Sequence, residues 1–181
     1  MVETPGLTAL DLVAARAALL DDALRALPLI TGREGPIVDV GSGNGSPGIP
    51  LACALPDREV VLLEAELRRC EFLAAWAPPN ARVVRGRAEE QPTDWAQITL
   101  AKALAPPPVA AEWCLPLLRP GGAAILWVGE SADLELLARV AARLEAEPEE
   151  APPGLAVLRK TGPTPAGFPR RTGVARKRPL A

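Results

Sequence analysis

The chain has 181 residues, 49% of them apolar, and a net charge of −2, which fits one globular domain with a real core and excludes a disordered chain. It contains no histidine, which excludes histidine-dependent triads, histidine general bases and histidine metal sites. Its three cysteines, Cys53, Cys70 and Cys114, are odd in number and set in apolar runs, so they are expected to be buried thiols of a reducing cytoplasm, neither bridges nor metal ligands.

Residues up to about Thr31 read as one helix, with Leu10, Val13, Ala14, Ala17, Leu20 and Leu24 near helical spacing. Met1 to Pro5 lack the basic start of a secretory leader, and no apolar run approaches the ~20 residues of a membrane helix. A cytoplasmic protein without a membrane partner is expected. Gly32 to Pro36 form a turn, and Ile37 to Val40 a short buried strand. Gly41, Gly43 and Gly45 follow at every second position; Ser46 is the expected N-cap and Pro47 the expected first residue of a helix to Leu55. Strand, glycine turn and helix start place backbone N–H groups at the carboxyl end of a strand, where open α/β sheets bind ligands. A dinucleotide fingerprint would need glycine where Ser46 stands, which disfavours a nicotinamide cofactor. The G-x-G-x-G pattern behind Asp39 instead looks like the first motif of Rossmann-type S-adenosylmethionine (AdoMet) methyltransferases. Asp39, Gly41, Ser42, Gly43, Gly45 and Ser46 are therefore the expected cofactor loop.

Val60 to Leu63 read as a second strand ending in Glu64 and Ala65, and an acid at that tip suits a ribose diol. Leu67 to Trp76 read as a helix and Ala81 to Arg85 as a third strand. The loop from Gly86 to Glu90 would lie over the adenine ring in this architecture, with Ala88 and Glu89 in contact. A fourth strand, Ile98 to Ala103, carries Lys102 near its end, a cation suited to a methionine carboxylate or a phosphate and the one residue expected to serve catalysis. Then come a helix from Pro107 to Leu118, a turn at Gly121 and Gly122, a fifth strand from Ala123 to Val128 with Trp127 packing, and a helix from Ser131 to Leu144. Leu155 to Leu158 form a last strand, paired with a short stretch near Glu147. The alternation predicts an α/β, doubly wound, mostly parallel sheet.

Charge is unevenly spread. Seven of the 20 basic residues lie from Arg159 onward, where there is no acid, and the other 13 face all 22 acids. That asymmetry fits a basic arm for nucleic acid. Residues 163–179 are proline- and arginine-rich and expected to be irregular. The reading is one domain over 1–162 with an N-terminal helix, and a basic tail over 163–181 in which Arg170, Arg171, Arg176 and Lys177 meet RNA.

Two stretches carry a closer likeness. Asp39 to Leu51, with its Pro-Gly-Ile-Pro-Leu ending, and Lys160 to Gly173 resemble the glycine motif and basic tail of the RsmG (GidB) family of bacterial methyltransferases. The resemblance implies methylation of a guanine N7 in 16S ribosomal RNA, AdoMet as cofactor, and free 16S rRNA or the small ribosomal subunit as partner. It places Gly41, Ser46, Ala88, Glu89 and Lys102 where the family holds AdoMet. Glu64 stands where the family usually has aspartate, and Lys102 where it usually has arginine. The N-terminal helical region is short, the family histidine near Ala18 is missing, and Val128 stands near a family lysine. No metal is expected, and a monomer is. Two other readings stay open: an AdoMet enzyme for a non-RNA substrate, and a non-catalytic AdoMet- or RNA-binding module.

Overall fold

A computed structural model describes residues 11–180. Leu10, within the expected N-terminal helix, lies outside the described residues. The rest of that helix is not continuous. It comprises α1 (Leu12–Ala15), a π-turn over Arg16–Asp21, α2 (Asp22–Leu24) and α3 (Leu27–Ile30). The Asp22 N–H reaches back five residues to the Ala17 carbonyl, and Pro28, which has no N–H, lies in the first turn of α3.

Seven strands form one sheet in the order β3-β2-β1-β4-β5-β7-β6. β1 (Ile37–Val40), β2 (Val60–Glu64), β3 (Ala81–Arg85), β4 (Ala96–Ala101) and β5 (Leu118–Trp127) run parallel. β7 (Leu155–Lys160) is antiparallel to β5 and to β6 (Ala146–Glu149). The helices are α4 (Gly48–Ala54), α5 (Leu67–Trp76), α6 (Pro107–Cys114), α7 (Leu134–Ala142) and α8 (Val174–Lys177). The strand order reverses at β1, where β2 and β4 flank it, and such a switch point opens a crevice at the carboxyl ends of the strands.

Strand alternation sorts the core into two layers. Ile37, Val60, Leu62 and Ile98 pack on the α4 and α5 side with Leu51 and Leu73. Val38, Val40, Val61 and Leu63 pack on the other side with Ala111, Cys114 and Leu137. Asp39 falls on the α4 side of β1. Its Oδ2 accepts the Gly48 N–H at 3.1 Å, so the strand itself caps α4. This corrects the expected cap: the helix starts at Gly48, after Pro47, and the Ser46 hydroxyl donates to the Leu19 carbonyl at 2.7 Å instead.

Other boundaries shift for local reasons. α6 ends at Cys114 because Leu115–Leu117, with Pro116 inside, tightens to a 3₁₀ turn. β5 begins at Leu118, so Gly121 and Gly122 lie inside the strand at a register irregularity against β4, not in a turn before it. α7 starts later than Ser131 because Asp133 caps it, accepting the Leu136 N–H at 2.8 Å. Cys70 and Cys114 are buried as expected, and burial pushes the Cys114 thiol up to about 12. Cys53 is exposed, contrary to expectation.

A Cβ on Gly48 would meet Leu62 Cδ2 at 2.4 Å and Asp39 Oδ2 at 2.6 Å. Gly48→Ala is expected to cost about 1–3 kcal/mol, read as a lower urea midpoint at unchanged slope. Burial pushes the Asp39 carboxyl from 3.8 up to about 7. Between those values the folded chain keeps a proton that the unfolded chain has lost, so this group's contribution to stability falls as pH rises from about 4 to 7. Wild type is therefore expected to lose stability relative to Asp39→Asn across that window in urea titrations, and a constant difference would contradict it.

Candidate functional site

A crevice opens at the switch point. Its floor is Val40 and Gly41 after β1, and Leu63, Glu64 and Ala65 at the end of β2. Gly86, Arg87, Ala88 and Glu89, after β3, form one side. Ala103 and Leu104, after β4, form another, with Arg69 on α5, Trp113 on α6 and Arg176 on α8 closing the rim.

Glu64 is only 6% exposed, yet it faces this crevice. Its Oε2 accepts the Gly43 N–H at 2.9 Å. Its Oε1 accepts the N–H groups of Ala65 and Glu66 at 2.8 and 2.9 Å. One carboxylate thus ties the glycine loop to the turn after β2. Gly43 has φ +54 and Gly41 φ +71, conformations that side chains rarely adopt, and the loop turns tightly enough for the Gly45 N–H to reach the Ser42 carbonyl at 2.7 Å.

The expected site residues divide into two groups. Gly41, Glu64, Ala65, Ala88 and Glu89 line the crevice. Asp39, Ser42, Gly43, Gly45 and Ser46 hold its floor from behind. Asp39 and Ser42 are buried, and the Ser42 hydroxyl donates to the Asp39 carbonyl at 2.9 Å.

Lys102 stands beside the crevice, one residue before the lining Ala103. Its ammonium pairs with Asp22 at 2.7 Å, donates to the Ala18 carbonyl and lies 5.9 Å from the Trp127 ring centroid. Burial works to raise the Asp22 pKa, but Lys102 and Arg25 outweigh it and hold the carboxyl below its ordinary value. The π-turn serves the same contact: the carbonyls of Ala18 and Leu19 take the side chains of Lys102 and Ser46.

The basic C-terminal segment is not uniformly free. Arg159 pairs with Glu147 and Glu149, and Lys160 is buried, donating to the Leu144 carbonyl. Arg170 is withdrawn from the expected RNA set, because its guanidinium is held by both carboxylate oxygens of buried Glu112. Arg171, Arg176 and Lys177 are exposed. The reading of residues 163–179 as irregular misses α8 and the contacts that tie the segment to the body.

Sequence reasoning missed Arg69, Arg87, Leu104 and Trp113 on the crevice wall. Arg69 was readable, since it falls in the first turn of the helix that follows Glu64. Nothing local in the sequence marks Trp113.

The chemistry of this lining fits an adenosine-bearing cofactor. A buried carboxylate faces a crevice with apolar surfaces at Val40, Leu63, Ala88 and Leu104. Trp113 adds a flat aromatic side chain to the wall.

Comparison with known proteins agrees in fold and in family. The chain is similar to the T. Thermophilus 16S rRNA N2 G1207 methyltransferase solved with AdoMet and guanosine, with a TM-score of 0.59 at 16% identity, covering 81% of this chain and 40% of that one. It is also similar to the antibiotic-resistance methyltransferase Kmr, with a TM-score of 0.57 at 18% identity over 76% of this chain and 93% of that one. At those identities the likeness concerns the Rossmann-like methyltransferase fold. In sequence, the chain is 37% identical to the ribosomal RNA small subunit methyltransferase G of Synechococcus elongatus, over 84% of this chain and 72% of that protein. It is 37% identical to the Rubrobacter xylanophilus protein of the same name, over 91% of this chain and 69% of that protein. The family model described as GidB, rRNA small subunit methyltransferase G, matches residues 9–150, and the chain belongs to that family.

Proposed function

We propose that this protein uses AdoMet to methylate N7 of a guanine in 16S ribosomal RNA. The observation that carries the reading is the crevice over β1 and β2, with its glycine loop and buried Glu64, in a chain of this family. Bound AdoMet would supply an electrophilic methyl group on a sulfonium. Guanine N7 has an exposed lone pair and no proton to lose, so the chain needs no general base. That agrees with the absence of histidine. What the chain supplies is placement, which can contribute roughly 7–11 kcal/mol of a barrier.

In this reading Glu64 receives the ribose hydroxyls, and Gly41 leaves the backbone open to close approach. Ala88 and Glu89 wall the base ring. Asp39, Ser42, Gly43, Gly45 and Ser46 keep the loop in shape. Lys102 binds the cofactor carboxylate by exchanging Asp22 for it. Arg171 and Lys177 meet RNA phosphates, contacts that position without reading sequence, while Arg176 lies in the crevice itself. Residues 1–162 form the catalytic body and 163–181 an attached basic segment, and the protein works as a cytoplasmic monomer. No helix among the described residues is long and apolar enough to cross a membrane, and no cluster among them suits a metal ion.

Deleting the gene should remove one N7-methylated guanine from 16S rRNA, mapped by chemical cleavage at that base, and wild-type protein should restore it while Gly43→Val should not. An unchanged methylation map would refute the proposal. If Lys102 trades Asp22 for the cofactor, Lys102→Ala should weaken AdoMet binding about tenfold or more in calorimetry, Lys102→Arg should retain it, and Asp22→Asn should tighten it. A purely structural ion pair predicts instead that Asp22→Asn weakens binding.

A further inference from the structure

Two consecutive residues of α6 point to different surroundings. Glu112, 2% exposed, pairs with Arg170. Trp113 lines the crevice, and its Nε1 is buried. A carboxylate this deeply buried is costly unless both oxygens are matched, and the two-pronged guanidinium matches them. The pair therefore fixes where the C-terminal segment meets the body.

From that anchor the chain runs back along the site. Upstream, Thr164 donates its N–H and its hydroxyl to Asp94 Oδ1, both at 2.9 Å. Downstream, the Thr172 hydroxyl donates to Glu90 at 3.1 Å, and the Gly173 N–H donates to Glu89 Oε1 at 3.1 Å. Ala175 is the buried residue of α8, and Arg176, next to it, reaches the crevice. The segment is thus tied to the loop after β3 that lines the crevice, Glu89 included.

We propose that Arg176 is a cofactor-contacting residue for the adenosine half of AdoMet, and that Glu112 and Arg170 are the pair that positions it. The inference rests on the AdoMet reading above and adds a wall to that site. An arginine suits such a wall, because its planar guanidinium stacks on flat aromatic rings. It shares the crevice with Trp113, a second flat side chain.

The test is calorimetric binding of S-adenosylhomocysteine to the full chain without RNA. Arg176→Ala should weaken binding about tenfold, a loss of the size expected when a stacked cation is removed. Arg176→Lys should recover only part of it, because the plane is gone. Arg178→Ala, which removes the same charge from an exposed position outside the crevice, should stay within twofold of wild type. Glu112→Gln should reproduce the Arg176→Ala deficit, and the double variant should be no worse than Arg176→Ala alone, since the pair acts through Arg176. If Glu112→Gln does not fold, the two Arg176 variants decide, because Arg176 is exposed and its loss leaves the core intact. Binding by Arg176→Ala within twofold of wild type overturns the inference and leaves the AdoMet reading standing. No binding by wild type overturns the AdoMet reading itself.

Discussion

The glycine loop keeps its shape through two buried carboxylates, one at the end of each neighbouring strand. Asp39 caps α4 from β1, and Glu64 gathers the N–H groups of Gly43, Ala65 and Glu66 from β2. Both act on the backbone of turns that have no regular structure of their own. Buried polar backbone must find partners, and here the partners come from strand positions fixed by alternation. Asp39 is driven toward its neutral form chiefly by burial, and the charge of Glu64 pushes the same way. Glu64 thus holds its three donors beside a neighbour that ionises less readily than an ordinary carboxyl.

Both ends of the described chain converge on this corner. The N-terminal segment reaches it through Asp22, Ala18 and Leu19, which engage Lys102 and Ser46. The C-terminal segment reaches it through Gly173 and Glu89, and through Arg170 on Glu112. Neither segment belongs to the sheet; the C-terminal one lines the crevice through Arg176, and the N-terminal one holds Lys102 and Ser46. A methyl donor seated there would touch groups far apart in sequence. Holding such groups together is how a site gains precision without a general base.

Much of the sheet was legible because burial on both faces writes short apolar runs, as in β1 and β2, while the half-exposed edge strand β3 is legible from its β-branched pair, Val83 and Val84. The crevice was legible where its residues end successive parallel strands, as Gly41 after β1 and Glu64 and Ala65 at the end of β2 do. Boundaries failed where another carboxylate did the capping, Asp133 in place of Ser131 and the sequence-distant Asp39 in place of Ser46. The N-terminal helix misled because its apolar spacing survives a π-turn, and periodicity alone does not register one extra residue in a turn.

The basic C-terminal segment shows why charge counts mislead about surfaces. Its seven cations with no acid among them read as a free arm. The acids that answer them lie elsewhere in the chain: Glu147 and Glu149 for Arg159, and Glu112 for Arg170. A linear count cannot see those partners, because pairing is decided by which strands and helices become neighbours. With those two paired and Lys160 buried, the four that stay exposed, Arg171, Arg176, Lys177 and Arg178, lie in and around α8, and Arg176 lines the crevice. A short basic surface fixed there differs in kind from a flexible arm. It would present phosphate contacts at a set distance from the cofactor, so docking an RNA strand and placing its base would be one event rather than two.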